Sequence, residues 1–553
     1  MPRPRGAHAA VKSGRGHAAA QTAAGPTSAG LPGAARSSSA ARSLSTTRSA
    51  VADLAAAMVV TVVVPLALLQ LPDAIAWAVP GQFAAAGPGT VTSLLRVSGL
   101  ALTAMVISVP LGALGVRRFR AWAVLIAGLG VFGVADILGS TARTIGQIGI
   151  DRSLHGFGAG IMLAAVTALA TERRNRAGRA LTAWWALCVV TGLAAAPEVM
   201  RRRLASGDWH AALQPYPWLT GVALGLAALY ALVSEGAVTR GTRANFPAAE
   251  RSQLALLAAP VIGMCVVAVA GTYGHSQTVT AAAIAEVISL AGITIMTART
   301  GSAAWFAVAC AVTGFTLAPA AGAVTDLMRA MAVAGSARDG LTMDGVQVGG
   351  PELCVLALSC AALLGALIAV VLPAGRGRLI VAIGMTLAAA GFAASYLAAG
   401  SLTAGSLALG RLTAGGPPRS QSELLAVVCV PVAGGLAAAL AAGLRGTGAP
   451  GALCGVVLLL TGVLVGYLAD GAVELHAVLD VSRSAAGIQA ALTTADVRWN
   501  IAAAILASGA ALTAFGRPVR RATCGVGPDV TGREVEDMAG APIREAGRTP
   551  DHE

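Results

Sequence analysis

Lysine is almost absent from this 553-residue chain: of its 39 Lys and Arg residues, Lys12 is the only lysine. With no other lysine and no GxxxxGK[ST] run, ATP hydrolysis at a phosphate-cradling loop is excluded as a drive. Charged residues make up 12% of the chain, about half the share of an ordinary soluble protein, and aromatics only 4%. That poverty excludes a conventional solvated globule. The eight cysteines (188, 265, 310, 354, 360, 429, 454 and 524) have no metal-ligand spacing. All but Cys524 lie in or beside apolar stretches, where a thiol is a small hydrophobe, so neither a zinc site nor a disulfide frame is indicated. No cofactor and no metal is expected. No loop exceeds about 30 residues, so a soluble catalytic domain has no room.

Apolar runs are what the chain has instead. It is 56% hydrophobic with a mean hydropathy of +0.72. About fourteen segments are predicted to cross a membrane: 53–72, 92–115, 121–139, 152–171, 180–198, 214–233, 253–272, 279–297, 303–323, 353–373, 378–398, 423–444, 450–470 and 497–515. Each is near the ~20 residues a helix needs to span ~30 Å of hydrocarbon. Helices satisfy their own backbone in lipid, and the ~10-residue alternation of a membrane barrel is missing. The chain is therefore read as an all-α polytopic membrane protein. Its 68 glycines and many alanines suit close helix–helix approach in lipid. Residues 1–50 and 517–553 carry few large apolar side chains and are predicted as flexible tails. The first apolar run starts too late for a cleaved signal peptide.

A net charge of +13 would suggest nucleic acid in a soluble protein. Here the positive-inside bias accounts for it, and no nucleic-acid partner is expected. With both termini in the cytoplasm, inner loops hold fourteen Arg and outer loops ten. The outer loops are longer, so Arg density favours this orientation. The Arg201–Arg203 cluster runs against it. The stretches 324–352, 399–422 and 471–496 read as long outward loops.

Charges inside the segments are few: Arg96, Asp136, Arg152 and Glu286, with Glu198 and Asp470 at segment ends. Arg152 opens a segment, next to Asp151 and three residues before His155. An intramembrane Arg is costly unless it snorkels, pairs or meets water, and a His can titrate near neutral pH. Two readings stay open for Asp151 and Arg152: proton coupling, or interfacial capping of a helix. Asp136 and Glu286 are the deepest acids and can carry a proton; Arg96 can pair with one of them or bind an anionic substrate.

From Gly112 the chain reads GALGVRRFRAWAVLIAGLGVFGVADILGSTA, and from Asp151 DRSLHGFGAGIMLAAVTALATERRNRAGRALTAWWALCVVTGLAAAPEV. This resembles the major facilitator superfamily, in particular its fourteen-span drug:proton antiporter branch, over residues 90–235. Gly112 with Arg117, Arg118 and Arg120 resembles the loop between spans two and three. Arg152 with Gly156, Gly158 and Gly160 resembles the fourth-span pattern, whose Arg is associated with proton coupling. TERRNRAGRA resembles the basic loop after span four, Gly192 to Pro197 the antiporter motif of span five, and DWHAALQPYPWLTG the lead into span six. The departures are the missing Asp after Gly112, and Val59 and Val64 where an acid and an amide are expected.

The resemblance implies two six-helix bundles with two central extra helices: 51–234, an insert within 235–300, and 301–516. It implies a secondary transporter rather than an enzyme, exporting small amphipathic or drug-like molecules by alternating access with protons as the drive. The partners it implies are a small-molecule substrate, protons and the lipid bilayer of the plasma membrane; a monomer is the expectation for the chain, whose sequence does not give its oligomeric state. Two other readings of the residues are a non-transporting scaffold, suggested by the eroded motifs, and a cell-envelope transferase using Asp326, Asp339, Asp344, Glu474, His476 and Asp480, although no DxD-type motif is present.

Overall fold

Apolar character sustained over 20 or more residues, with backbone groups that lipid cannot satisfy, leaves helix as the only solution. The computed structural model is helical accordingly. It describes residues 34–71, 93, 97, 99–173, 176–204, 213, 216–237, 248–272, 276–300, 304–335, 342–343, 346–347, 350–408, 421–479 and 485–516. In chain order the helices are α1 (Ala34–Leu68), α2 (Leu100–Arg118), α3 (Ala121–Gly139), α4 (Ile145–Thr171), α5 (Arg176–Leu204), α6 (Pro217–Ala237), α7 (Ala248–Thr272) and α8 (Ser276–Thr300). Then come α9 (Ala304–Gly335), α10 (Gly350–Val371), α11 (Gly377–Ala408), α12 (Gln421–Leu479) and α13 (Ala485–Phe515). A two-stranded antiparallel ladder, β1 (Thr342–Met343) with β2 (Val346–Gln347), precedes α10.

Among the described residues, ten helical segments are long and apolar enough to cross a membrane. Two shorter apolar helices, Leu257–Ala270 and Val355–Val371, fall just below that length. One of the ten, Val428–Glu474, has 47 residues, far more than one crossing needs. Gly448 breaks it, with φ 66° and ψ 179°, a conformation open to a residue without Cβ.

Two sequence expectations change here. Helix begins at Ala34, well inside the stretch read as a flexible tail; Ala and Arg in AARSSSAARS favour helix even where hydropathy is low. Much of the three outward loops is helical too, because α9, α11 and α12 run on to Gly335, Ala408 and Leu479. Hydropathy falls in these stretches, but good helix formers remain in the DLMRAMA of α9 and the AVELHAVL of α12.

Packing follows the small residues. A Cβ on Gly156 would overlap the carbonyl of Ala101, and one on Gly160 would overlap Ser108, both in α2. On the other side of α4, a Cβ on Gly158 would come within 2.9 Å of the Gly128 carbonyl and the Phe132 amide in α3. Gly112 returns the contact from α2, its Cβ position 2.9 Å from that of Ala164. Residues 156 and 160 share one helix face, and 158 lies opposite. The Arg–x–x–x–Gly–x–Gly–x–Gly pattern thus lets α4 lie flush between α2 and α3. Only two residues join α2 to α3, which predicts that the two are packed neighbours. Instead each packs mainly along α4, and they meet each other only near the turn.

The same arrangement recurs later in the chain. Gly434 and Gly435, on the first half of α12, approach Ala361 of α10 and Gly384 of α11 respectively. Likewise α3 packs on α6, and α11 on α13. Arg117 and Arg118 fall in the last turn of α2, where cations suit the carboxyl end of the helix dipole.

Candidate functional site

Helix α4 starts seven residues earlier than its hydropathy suggests. The Thr144 hydroxyl accepts from the Gln147 amide at 3.2 Å, and the Gln147 side-chain oxygen accepts from the Thr144 amide at 3.1 Å. This capping box satisfies the orphan donors of the first turn. Asp151 and Arg152 are therefore not caps of the helix: they lie about two turns inside it, at 0% and 1% exposure. A Thr144→Ala variant is expected to lose about 1 kcal/mol of stability, read as a lower melting temperature in detergent.

Around these residues the fold gathers side chains from four helical regions. His155, fully buried, has Nε2 3.1 Å from Asp136 Oδ1 of α3. Its Nδ1 lies 3.2 Å from the Asp151 carbonyl and 3.3 Å from Asp151 Oδ1, one turn earlier on the same helix. Asp136 Oδ2 accepts from the Thr220 hydroxyl of α6 at 2.6 Å. Arg152 donates to Gln70, just past α1, at 3.0 Å to the side-chain oxygen and 3.2 Å to the carbonyl. Phe132 sets its ring edge-on to His155, with centroids 4.7 Å apart, and so shields the imidazole.

The cluster is graded in access. Asp136 keeps 11% of its side chain exposed, whereas His155 and Asp151 keep none. Among Asp136, Asp151, Arg152 and His155, the charges cancel when the imidazole is protonated and sum to one negative charge when it is neutral. Buried net charge is expensive, so the protonation of this group is tied to its surroundings. An apolar patch lies beside it, formed by Leu69, Ala142, Ile148, Ala196, Met200 and Leu213.

The fold joins some of the residues singled out from sequence and separates others. Arg152, His155 and Asp136 come together. Glu286 does not join them. It is 1% exposed in α8, close to Cys265 of α7, whose thiol reaches the Thr103 carbonyl of α2 at 3.7 Å. Arg96 lies outside the described residues. Gly112, Gly156, Gly158 and Gly160 serve packing. Gly192, a Cβ on which would come 2.8 Å from Leu68, fits α5 against α1, and Pro197 lies inside α5. Trp184 of α5 donates to Thr61 of α1 at 2.7 Å across the same contact. Val59 and Val64 are both fully buried and apolar.

Glu198 is 5% exposed, and it accepts from Arg202 at 3.0 Å. The Arg201–Arg203 cluster is the last turn of α5 rather than a loop. The candidate transferase acids Asp339, Asp344 and Asp480 lie outside the described residues. No group of three His, Cys, Asp or Glu fit to hold a metal occurs among the described residues. Sequence reasoning missed Gln70 and Thr220, which are 82 and 84 residues away from their partners.

A second feature is a small cleft bordered by α5 and α9 to α13. Ala194, Leu317, Phe392, Ser395, Val432 and Asn500 line it, and no charged side chain is among its described lining residues. The cleft spans about 360 Å³ including its open mouth. Room for only about two waters lies clear of its walls.

No known protein-family model matches the chain, and no curated protein matches it in sequence. Solved structures do. One is the major facilitator superfamily proton:xylose symporter XylE bound to 6-bromo-6-deoxy-D-glucose, at TM-score 0.50 and 13% identity, covering 84% of this chain and 96% of that one. Another is a POT family transporter in complex with 5-aminolevulinic acid, at TM-score 0.50 and 13% identity, covering 83% and 94%. The fold is of the major facilitator type. At this identity the likeness concerns the fold alone.

Proposed function

We propose that the chain is a secondary active transporter working by alternating access, with export of small amphipathic molecules coupled to protons. The observation that carries this reading is the buried cluster of Asp136, His155, Asp151 and Arg152 within a major-facilitator-type fold. A titratable imidazole between two carboxylates, one of them partly open to the surface, is a place where a proton can be taken up and released. The neighbours of similar fold include a protein described as a proton:xylose symporter and one from the POT family of transporters.

The proposal includes fourteen membrane helices in two six-helix bundles, with α7 and α8 inserted between them. Three observations support that count: the break at Gly448, the shorter apolar helices within α7 and α10, and α13, which carries the last apolar segment. The repeated packing supports the two-bundle layout, since α2–α4–α3 is echoed by α10, the first half of α12 and α11. Both termini are placed in the cytoplasm of a plasma-membrane protein. The test for orientation is Arg202→Cys: a membrane-impermeant maleimide should label it from outside the cell, and labelling only from inside would reverse the topology.

Flux itself is tested in proteoliposomes loaded with a panel of amphipathic dyes. Efflux should depend on an imposed proton gradient and collapse with an uncoupler. Uncoupler-insensitive leakage equal to that of empty liposomes, across the panel, would sink the transporter reading.

A further inference from the structure

Apart from Arg299 near its end, Glu286 is the only charged residue in α8. Ala283, Leu290 and Ile293 are buried with it, at the spacing of one helix face, whereas Ile284, Val287, Ile288 and Ile295 are exposed. The acid thus lies on the face that α8 turns to the protein. Helix α8 packs on α9 and α12, and its partner α7 packs on α2. No Asp, Glu, Lys, Arg or His occurs at 100–116 of α2, 252–272 of α7, 304–325 of α9, or 425–444 and 450–469 of α12. The ionisable groups on those lengths are Cys265, Cys310, Cys429, Cys454 and Tyr467, and neither a thiol nor a phenol supplies a positive charge. Cys265 lies close, but its thiol proton goes to the Thr103 carbonyl at 3.7 Å. Glu286 Oε2 is sealed away with no hydrogen-bond partner, and no ion pair involves this carboxyl among the described residues.

An ionised carboxylate in such a seam has lost water and gained no partner, a cost that falls on the charged form far more than on the neutral acid. Seating of the α7–α8 pair and protonation of Glu286 therefore favour one another. We infer that the Glu286 carboxyl is a second proton-binding site, separate from the His155 cluster, filled while α7–α8 is seated on α2, α9 and α12 and weakening that seat when emptied. Asp136 differs in having His155 and Thr220 beside it to share a charge or a proton. For transport, the inference gives the α7–α8 pair a proton of its own, and that meaning rests on the transporter reading above. The proton-binding claim stands separately.

The experiment uses dicyclohexylcarbodiimide, an apolar reagent for a carboxyl that carries its proton. The proton passes to a carbodiimide nitrogen, the carboxyl oxygen bonds to the central carbon, and rearrangement leaves a stable N-acylurea. The reagent is added to the full-length chain in lipid nanodiscs, and the modified position is located by fragment masses. Glu286 should be modified at about pH 6, where an exposed Glu is already ionised, and modification should fade towards about pH 9. A water-soluble carbodiimide should spare it, and Glu286→Gln should lose the label at this position. The second measurement is the melting temperature of both chains over the same pH range. Gln cannot ionise, so the two should melt together in acid, and the unaltered chain should fall below the variant as pH rises. No modification of Glu286 by the apolar reagent, equal modification by the water-soluble one, or a melting difference that does not change with pH would each overturn the inference. A cation paired with Glu286, Arg96 included, would give the first of these results. The labelling needs no variant to fold. Modification of Glu286 without gradient-driven dye flux would defeat the transporter reading alone, and dye flux without modification of Glu286 would defeat this inference alone.

Discussion

Asp136→Asn is expected to lower proton-driven flux by about a hundredfold, the low end of what a positioned proton donor or acceptor contributes. The substitution is nearly isosteric. The amide can keep contact with the Thr220 hydroxyl and the His155 imidazole, which the carboxylate meets at 2.6 and 3.1 Å. What it cannot do is hold a charge or take up a proton. Substrate exchange without a gradient does not require the proton to leave, so exchange should persist while driven flux is lost. A purely structural role would reduce both together. Thr220→Val removes one hydrogen bond but leaves the carboxylate, and should have the milder effect. Unchanged driven flux in Asp136→Asn would remove the cluster from the coupling path.

The other large effect is expected at Gly156. A methyl group there would run into the Ala101 carbonyl, which belongs to a rigid helix backbone and not to a movable side chain. Glycine to alanine in a helix ordinarily gains about 0.5–1 kcal/mol. Overpacking costs about 1–3 kcal/mol and occasionally more, and backbone overlap belongs at the upper end. The sign should therefore be strongly destabilising. Gly156→Ala is expected to lose the monodisperse peak in size-exclusion chromatography after detergent extraction. Gly130→Ala, at an interior position of α3 with nothing within 4 Å, is the control and should be as stable as the unaltered chain or slightly more so. Survival of Gly156→Ala with an unchanged melting temperature would mean that α2 and α4 are not held this closely.

The helices were legible because they rest on a local signal, apolar length. The candidate site was legible in part. Arg152 and His155 share a helix, so sequence spacing places them near one another. Asp151, four residues before His155, was equally open to that argument, but hydropathy starts the segment at Arg152 and makes Asp151 look like a cap. The T-x-x-Q signature at Thr144 and Gln147 was the available correction, since it marks the true start of α4. Asp136 could be named as a deep acid, but its pairing with His155 depends on how α3 lies on α4. Gln70 and Thr220 carry no signal of their own, because a neutral polar residue near the end of an apolar run is commonplace. Glu286 looked equivalent to Asp136 in sequence, and only the fold separates them.

The seat of α4 between α2 and α3 also orders events during synthesis. When α2 and α3 leave the ribosome they are joined by two residues yet lack the helix that fills the space between them. Asp136 then enters the bilayer ahead of its imidazole partner, which lies 19 residues later, and far ahead of Thr220. The helices around Asp136 cannot close over this polar group until α4 brings His155 and α6 brings Thr220. A chain truncated after α3 is left with the Asp136 carboxylate deprived of His155 and Thr220, and with the faces bearing Gly112 and Gly128 uncovered.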